Sequence, residues 1–329
     1  MNRRRPRLAY RFPIVFMLLL FLAACQPSSA PVPEPAGKPW RVVATVLPLE
    51  NLVMAVTQGA AEVEVQGLLP PAGGCPHDYS LTPGDLKKLE AADALVVVGL
   101  DYEPFLGKLA ENFGNRLPVI VASDGVEVLA APADADEEEK ADHPGEAEHH
   151  HGEHEHHHGE VNDHPFVSPK QAALMARTVA VRLAQLNPEN AAVYTANAEK
   201  LAGELTGIQT DLAAFVATLP NKQVVVVDPI FGYLLRDIGL ETAAVLVPHH
   251  QGALSAGTLS RLSRKFQRQV PAVVLNESQF DARVAQTFAA EIKAKAATIS
   301  TPFDTAPGPA AFVEQMRKMA GELKAALGR

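Results

Sequence analysis

The chain has 329 residues, 47% hydrophobic and 20% charged, with a formal net charge of −9 and only two cysteines. The acidic balance argues against nucleic acid or an anionic membrane surface as partner. Two cysteines allow one internal disulfide at most, and none once either is otherwise engaged, and the length is sufficient for two packed lobes.

Arg3, Arg4, Arg5, Arg7 and Arg11 precede an apolar run from Ile14 to Leu22, which leads into Ala23-Ala24-Cys25. A basic segment, a short apolar segment and small residues before a cut site predict a signal peptide over residues 1–24. The run falls short of the roughly 20 apolar residues of a membrane span. Leu22-Ala23-Ala24-Cys25 resembles the lipobox of bacterial lipoproteins. That resemblance makes Cys25 the expected lipidation site of an exported chain, held at a bacterial membrane only through its lipid anchor. Residues 25–39, rich in Pro, Ser and Ala, read as a tether. Loss of residues 1–24 removes five arginines and no acid, moving the formal charge from −9 to −14.

Residues 40–133 alternate β-rich runs (RVVATV, EVEVQGLL, ALVVVG, PVIVAS) with helical candidates near 48–58, 82–92 and 104–113. Thr82 followed by Pro83 predicts a helix start, with Pro at the first helical position. Continuous apolar strands predict a parallel sheet covered on both faces. The same grammar returns over 221–329, with strand candidates QVVVVD, ETAAVLV, AVVLNE and AATIST and a last helix over 309–327. The prediction is an α/β fold: two similar (β/α) lobes with parallel four-stranded sheets, and ligand binding at the carboxyl ends of the strands. Residues 164–188 complete the first lobe. A linking helix over 189–220 joins the two, its Leu201, Leu205, Ile208, Leu212, Phe215 and Leu219 recurring at three- and four-residue steps.

Residues 134–163 form an acidic insert with twelve acids and one lysine. Within it, EHHHGEHEHHHGE (148–160) holds seven histidines and four glutamates. No packed core accommodates such a run, and a tight metal site needs ligands fixed by their surroundings. His149, His150, His151, His154, His156, His157 and His158 are therefore read as an auxiliary, low-affinity metal collector, or as an inert solvated loop. Outside the insert stand His77, His164, His249 and His250. His77 follows a strand and precedes the Pro83 helix. His164 lies directly before a helix beginning at Ser168-Pro169. Neutral imidazole is the commonest metal ligand, so this pair is the candidate metal site.

PHDYSLTP (76–83), HPFVSP (164–169) and FGYLLRDIGL (231–240) resemble signatures of the zinc/manganese-binding proteins of bacterial ABC importers, the ZnuA-like cluster A-I family. The likeness covers nearly the whole chain beyond the signal, in the same order. It implies a metal site in the cleft between the lobes, with His77 as first ligand and His164 as second. The third position, His or Glu in the family, is here Asp228, a departure that still supplies a carboxylate oxygen. Asp304 is the match for the fourth. Asp78 and Tyr79 belong to the same motif and are expected to orient His77 or to pack. Cys75 is either an auxiliary thiolate or a small loop residue. His249 and His250 either approach the cleft or remain solvated, and Glu277 either hydrogen-bonds behind the ligands or simply ends a strand.

Two nitrogens and up to four oxygens suit four-coordinate Zn²⁺, and also admit Mn²⁺ or Fe²⁺ at higher coordination. The ligand set alone leans toward manganese, whereas the imidazole-rich insert favours Zn²⁺. The expected function is a zinc-binding component that delivers the ion to an ABC permease and its ATPase, acting as a monomer. Binding is expected to weaken as pH falls through the histidine range, because protons compete for imidazole. The alternatives are a manganese or iron importer component, or a metal-binding adhesin-type surface lipoprotein. HExxH occurs as His154–His158 inside the His-rich run, which no packed helix supports, and GxSxG and GxxxxGK[ST] are absent, so no enzyme is expected.

Overall fold

The computed structural model describes residues 38–70, 76–107, 116–131, 161–247 and 256–328. The signal segment, Cys25, nearly all of the tether, Cys75, His249, His250 and residues 134–160, with the seven collector histidines, lie outside the described residues.

Strands β1 (Trp40–Ala44), β2 (Val63–Gly67), β3 (Ala94–Val97) and β4 (Val119–Val121) form one sheet in the order β2-β1-β3-β4. Strands β5 (Gln223–Val226), β6 (Glu241–Val245), β7 (Val273–Glu277) and β8 (Ala296–Ile299) form a second, in the order β6-β5-β7-β8. Every strand pairing is parallel, with Val42 opposite both Val65 and Ala94 in the first sheet and Val224 opposite Val273 in the second. The two sheets repeat one topology, as the recurrence of the strand pattern implied. Central β3 and β7 are buried along their whole length, which is why ALVV is apolar throughout and Val273–Leu275 run apolar up to the buried polar pair Asn276 and Glu277 that ends β7. The edge strand β2 does alternate between half-buried and exposed positions.

The helices are α1 (Leu47–Thr57), α2 (Pro83–Glu90), α3 (Pro169–Leu186), α4 (Ala191–Ala217), α5 (Gly232–Ile238), α6 (Ala256–Arg268), α7 (Arg283–Ile292) and α8 (Ala311–Leu327). Successive residues of the second sheet face two different cores. Val224, Val226, Val273 and Leu275 join the large core shared with α4, α5 and α8. Val225, Val227 and Val274 join a smaller one, built with Leu262 and Phe266 of α6 and Phe288 and Ile292 of α7. The period-two geometry of a strand thus sorts one valine run into two layers.

Helix α4 is the linking element. Its 27 residues span about 40 Å at 1.5 Å per residue. It begins later than the sequence pattern suggests, because Pro188–Asn190 forms a separate 3₁₀ turn. Tyr194, Ala198, Leu201, Leu205, Ile208 and Leu212 make its buried seam. That seam packs on α1 and α3 of the first half and on α5 and α8 of the second. Arg317 of α8 pairs with Glu204 at 2.9 Å, and Lys324 pairs with Asp211. One apolar core therefore runs unbroken from β1 and α1 through α3 and α4 to β5 and α8. The helix expected near 104–113 is, in its described part, a 3₁₀ turn over Pro104–Leu106. Among the described residues no helix is long and apolar enough to cross a membrane.

Candidate metal centre

The carboxyl ends of the strands supply the site. After β2 the chain reaches the short turn Pro76–Asp78, which carries His77. The start of α2, just downstream, is closed by a capping box: Asp85 N–H donates to Thr82 Oγ1, and Thr82 N–H donates to the Asp85 carboxylate at 2.9 Å. Tyr79 O–H donates to the same carboxylate at 2.8 Å. Burial acts to raise the Asp85 pKa, but the donors from Thr82 and Tyr79, with Lys88, outweigh it and hold the group below its ordinary value. Tyr79 therefore fixes the frame that presents His77.

His164 is positioned by its neighbour Asn162. Asn162 N–H donates to Leu129 C=O at 2.7 Å, its side-chain amide donates to Pro229 C=O at 2.7 Å, and its own C=O accepts from Tyr233 O–H at 2.8 Å. Asn162 Oδ1 in turn accepts from His164 N–H at 3.0 Å. One buried asparagine thus joins the segment carrying His164 to the residue after Asp228. On the C-terminal side, Ser168 caps α3 and donates to Asp237 at 2.7 Å. Asp228 follows β5, and its Oδ1 accepts from Ile230 N–H at 2.9 Å. Glu277 ends β7, and its carboxylate accepts from Thr301 O–H at 2.9 Å.

His77, Asp163 and His164 form a compact group with one donor atom from each lying within 4.8 Å of the others. His77 Nε2 is 3.3 Å from one Asp163 oxygen, and His164 Nδ1 is 2.8 Å from the other. The two imidazole centroids are 6.2 Å apart. Tyr102 meets both rings edge-on at 5.2 and 5.4 Å, and Phe166 backs Tyr102 at 5.5 Å and His164 at 5.9 Å. His164 is 3% exposed and Asp228 2% exposed. Burial alone would lower the His164 pKa, but Asp163, Asp228 and Glu277 outweigh it and raise it. Asp163 is held below the usual carboxylate range, its burial overcome by His164 and His77. Burial next to Asp228 and Asp304 pushes Glu277 up to about 7, against its Thr301 hydrogen bond and His164. This surplus of carboxylate around two imidazoles is a setting that a divalent cation would neutralise.

The structure brings His77 and His164 together and sets Asp228 within electrostatic reach of His164. Asp304 sits in the loop after β8. Its Oδ2 accepts from Thr301 N–H at 2.7 Å and from Ser278 O–H, so that carboxylate is turned partly into its own loop. Glu277 does more than end a strand: its charge acts on His164, and its carboxylate accepts from Thr301 O–H. Sequence reasoning missed Asp163 and Tyr102. For Asp163 a signal did exist, a carboxylate immediately beside a candidate ligand.

The family described as zinc-uptake complex component A, periplasmic, matches residues 42–326. The high-affinity zinc uptake system protein ZnuA of Brucella suis is 26% identical over 336 residues, covering 96% of this chain and 98% of its own. The zinc-binding protein AdcA of Streptococcus pyogenes is 26% identical over 261 residues, covering 79% of this chain. The chain spans about half the length of the AdcA relatives it matches. Among solved structures, FpvC of Pseudomonas aeruginosa in complex with Mn²⁺ has a TM-score of 0.72 at 26% identity, covering 88% of this chain and 99% of its own. A crystal structure of ZnuA superimposes with a TM-score of 0.69 at 24% identity, which bears on the fold. With the match running from β1 into α8, the chain belongs to the ZnuA family of periplasmic zinc-uptake components.

Proposed function

We propose that this protein captures Zn²⁺ outside the cytoplasmic membrane and hands it to an ABC permease and its ATPase. The observation that carries the reading is the meeting of His77 and His164 with buried carboxylates at the carboxyl ends of strands from both sheets. His77, His164 and Asp228 are the proposed ligands, with Asp304 the fourth candidate inherited from sequence. Zinc is preferred to Mn²⁺ or Fe²⁺ because two imidazoles in a compact, largely buried setting suit a four-coordinate ion. The His-rich segment 148–160 points the same way. The zinc-named relatives support this preference, and the Mn²⁺ complex of FpvC is the counterweight. The protein binds and releases, with no reaction assigned to it. We further propose that it is exported, anchored through a lipid on Cys25, and monomeric.

The test is metal content by mass spectrometry after equilibration with equal Zn²⁺ and Mn²⁺. The intact protein is expected to retain one tightly held Zn²⁺, and His77→Ala and Asp228→Ala to lose it. Displacement of Zn²⁺ by Mn²⁺ would overturn the metal assignment, and undiminished binding in Asp228→Ala would remove Asp228 from the ligand set.

A further inference from the structure

We propose that Asp163 is itself a ligand of the transported ion and fills the fourth place beside His77, His164 and Asp228. The inference rests on the zinc-carrier reading and adds a residue to its site.

Three features carry it. The first is distance. In a tetrahedral zinc site with bonds of about 2.0–2.1 Å, neighbouring donor atoms stand roughly 3.3 Å apart. His77 Nε2 and His164 Nδ1 already lie 3.3 and 2.8 Å from the Asp163 oxygens. A metal entering between them would need side-chain rotations rather than a backbone rearrangement. The second is rigidity. Asp163 lies between Asn162, bonded to Leu129, Pro229 and Tyr233, and His164, whose N–H is bonded to Asn162 Oδ1. The backbone on both sides of Asp163 is therefore held, as a preorganised ligand requires. The third is competition. Asp304 divides its Oδ2 between Thr301 N–H and Ser278 O–H, and Glu277 faces Thr301. The Asp163 carboxylate, beyond a bond from its own backbone N–H, faces the two imidazoles. In the ion's absence it bridges them and keeps their nitrogens converged. In the ion's presence the same oxygens become donors.

The experiment asks for direct ligation, since a residue that only orients a histidine would also weaken binding, typically by about 10- to 100-fold. Asp163→Cys is made in the whole chain carrying Cys25→Ser and Cys75→Ser, so that the new thiol is the only one, and the protein is loaded with Co²⁺. A thiolate on the ion gives an intense near-ultraviolet charge-transfer band, absent from the parent protein. That band is expected, together with a loss of Zn²⁺ affinity above about 100-fold in Asp163→Asn. A tightly held Co²⁺ in the Cys variant that needs His77 and His164 yet gives no band would overturn the proposal, as would a small affinity loss in Asp163→Asn. Failure of the carrier reading looks different: His77→Ala and His164→Ala would leave Zn²⁺ uptake unchanged, which would overturn both.

Discussion

Glu103 offers a way to measure what a buried carboxyl group costs beneath the site. It is 6% exposed on the loop after β3. Its Oε1 accepts from Thr45 O–H at 2.5 Å and Val98 N–H at 2.7 Å, and its Oε2 from Gly99 N–H at 3.1 Å. Burial pushes this carboxyl from 4.5 up to about 7, against those three donors and with the Asp163 charge adding to the rise. Because the folded pKa exceeds the unfolded one, the folded state holds the proton more tightly. The stability this contributes is complete below about pH 4.5 and is lost as pH rises through about 7. The rise from 4.5 to about 7, at ~1.4 kcal/mol for each tenfold change in proton affinity, comes to about 3 kcal/mol. Gln keeps the size of the protonated acid, but its amide nitrogen carries two donors and cannot accept from Gly99 N–H as a carboxyl oxygen does. Glu103→Gln is therefore expected to be about 1–3 kcal/mol less stable than the wild-type protein at pH 4.5, and to gain about 3 kcal/mol on it between pH 4.5 and well above pH 7. Urea denaturation of the metal-free proteins at the two pH values, compared at equal slope, measures the difference. A difference between the two proteins that does not change with pH, or that moves in favour of the wild-type protein as pH rises, would refute the reasoning. It would show the three donors winning over burial.

Gly99→Ala places a methyl group 2.5 Å from Val121 Cγ1 and 2.8 Å from Ser123 Oγ, at a φ of +84°. A loss of about 1–3 kcal/mol is expected, read as a lower unfolding midpoint, and a neutral result would count against the tight loop geometry. Asn190→Ala removes a two-way link in which the side chain accepts from Ala61 N–H at 2.9 Å and donates to Ala61 C=O at 3.1 Å. It should cost about 1–3 kcal/mol in denaturant titration while leaving metal content unchanged. Phe166→Ala empties a fully buried position between Tyr102, His164 and Phe303. A loss of about 3–5 kcal/mol is expected, with weaker Zn²⁺ retention because the His164 ring loses its backing.

The strands were legible because parallel strands buried on both faces are rich in unbroken apolar runs, such as ALVV in β3 and the Val-Val-Leu that opens β7. Helix starts at Thr82-Pro83 and Ser168-Pro169 were legible from cap chemistry, which is local. His77 and His164 stood out as histidines on loops beside helix starts. Asp163 did not, because in sequence it is the last acid of a long acidic run, and its meaning depends on a turn far upstream folding back beside it. Tyr102 and Glu103 were hidden for a similar reason. In DYEPF they read as a polar loop, and only the return of the chain after β3 brings Tyr102 against the two imidazoles and Glu103 within reach of the Asp163 charge. The delayed start of α4 is local but subtle: Pro188 opens a 3₁₀ turn with i→i+3 bonding rather than the α-helix itself.

The unbroken core through α4 bears on how an ion would leave. A carrier with a loose hinge can lower its affinity by swinging the two halves of its site apart. Here the halves share one apolar interior, and parting them would expose the seam of α4 to water. Release would then proceed one bond at a time, each departing donor replaced by water or by a donor from outside. Dissociation into bulk solvent would be slow, and a partner able to offer its own donors at the mouth of the site would speed it. The rigidity of the spine would thus make the receiving protein, rather than the carrier's own motion, the element that sets the rate of delivery.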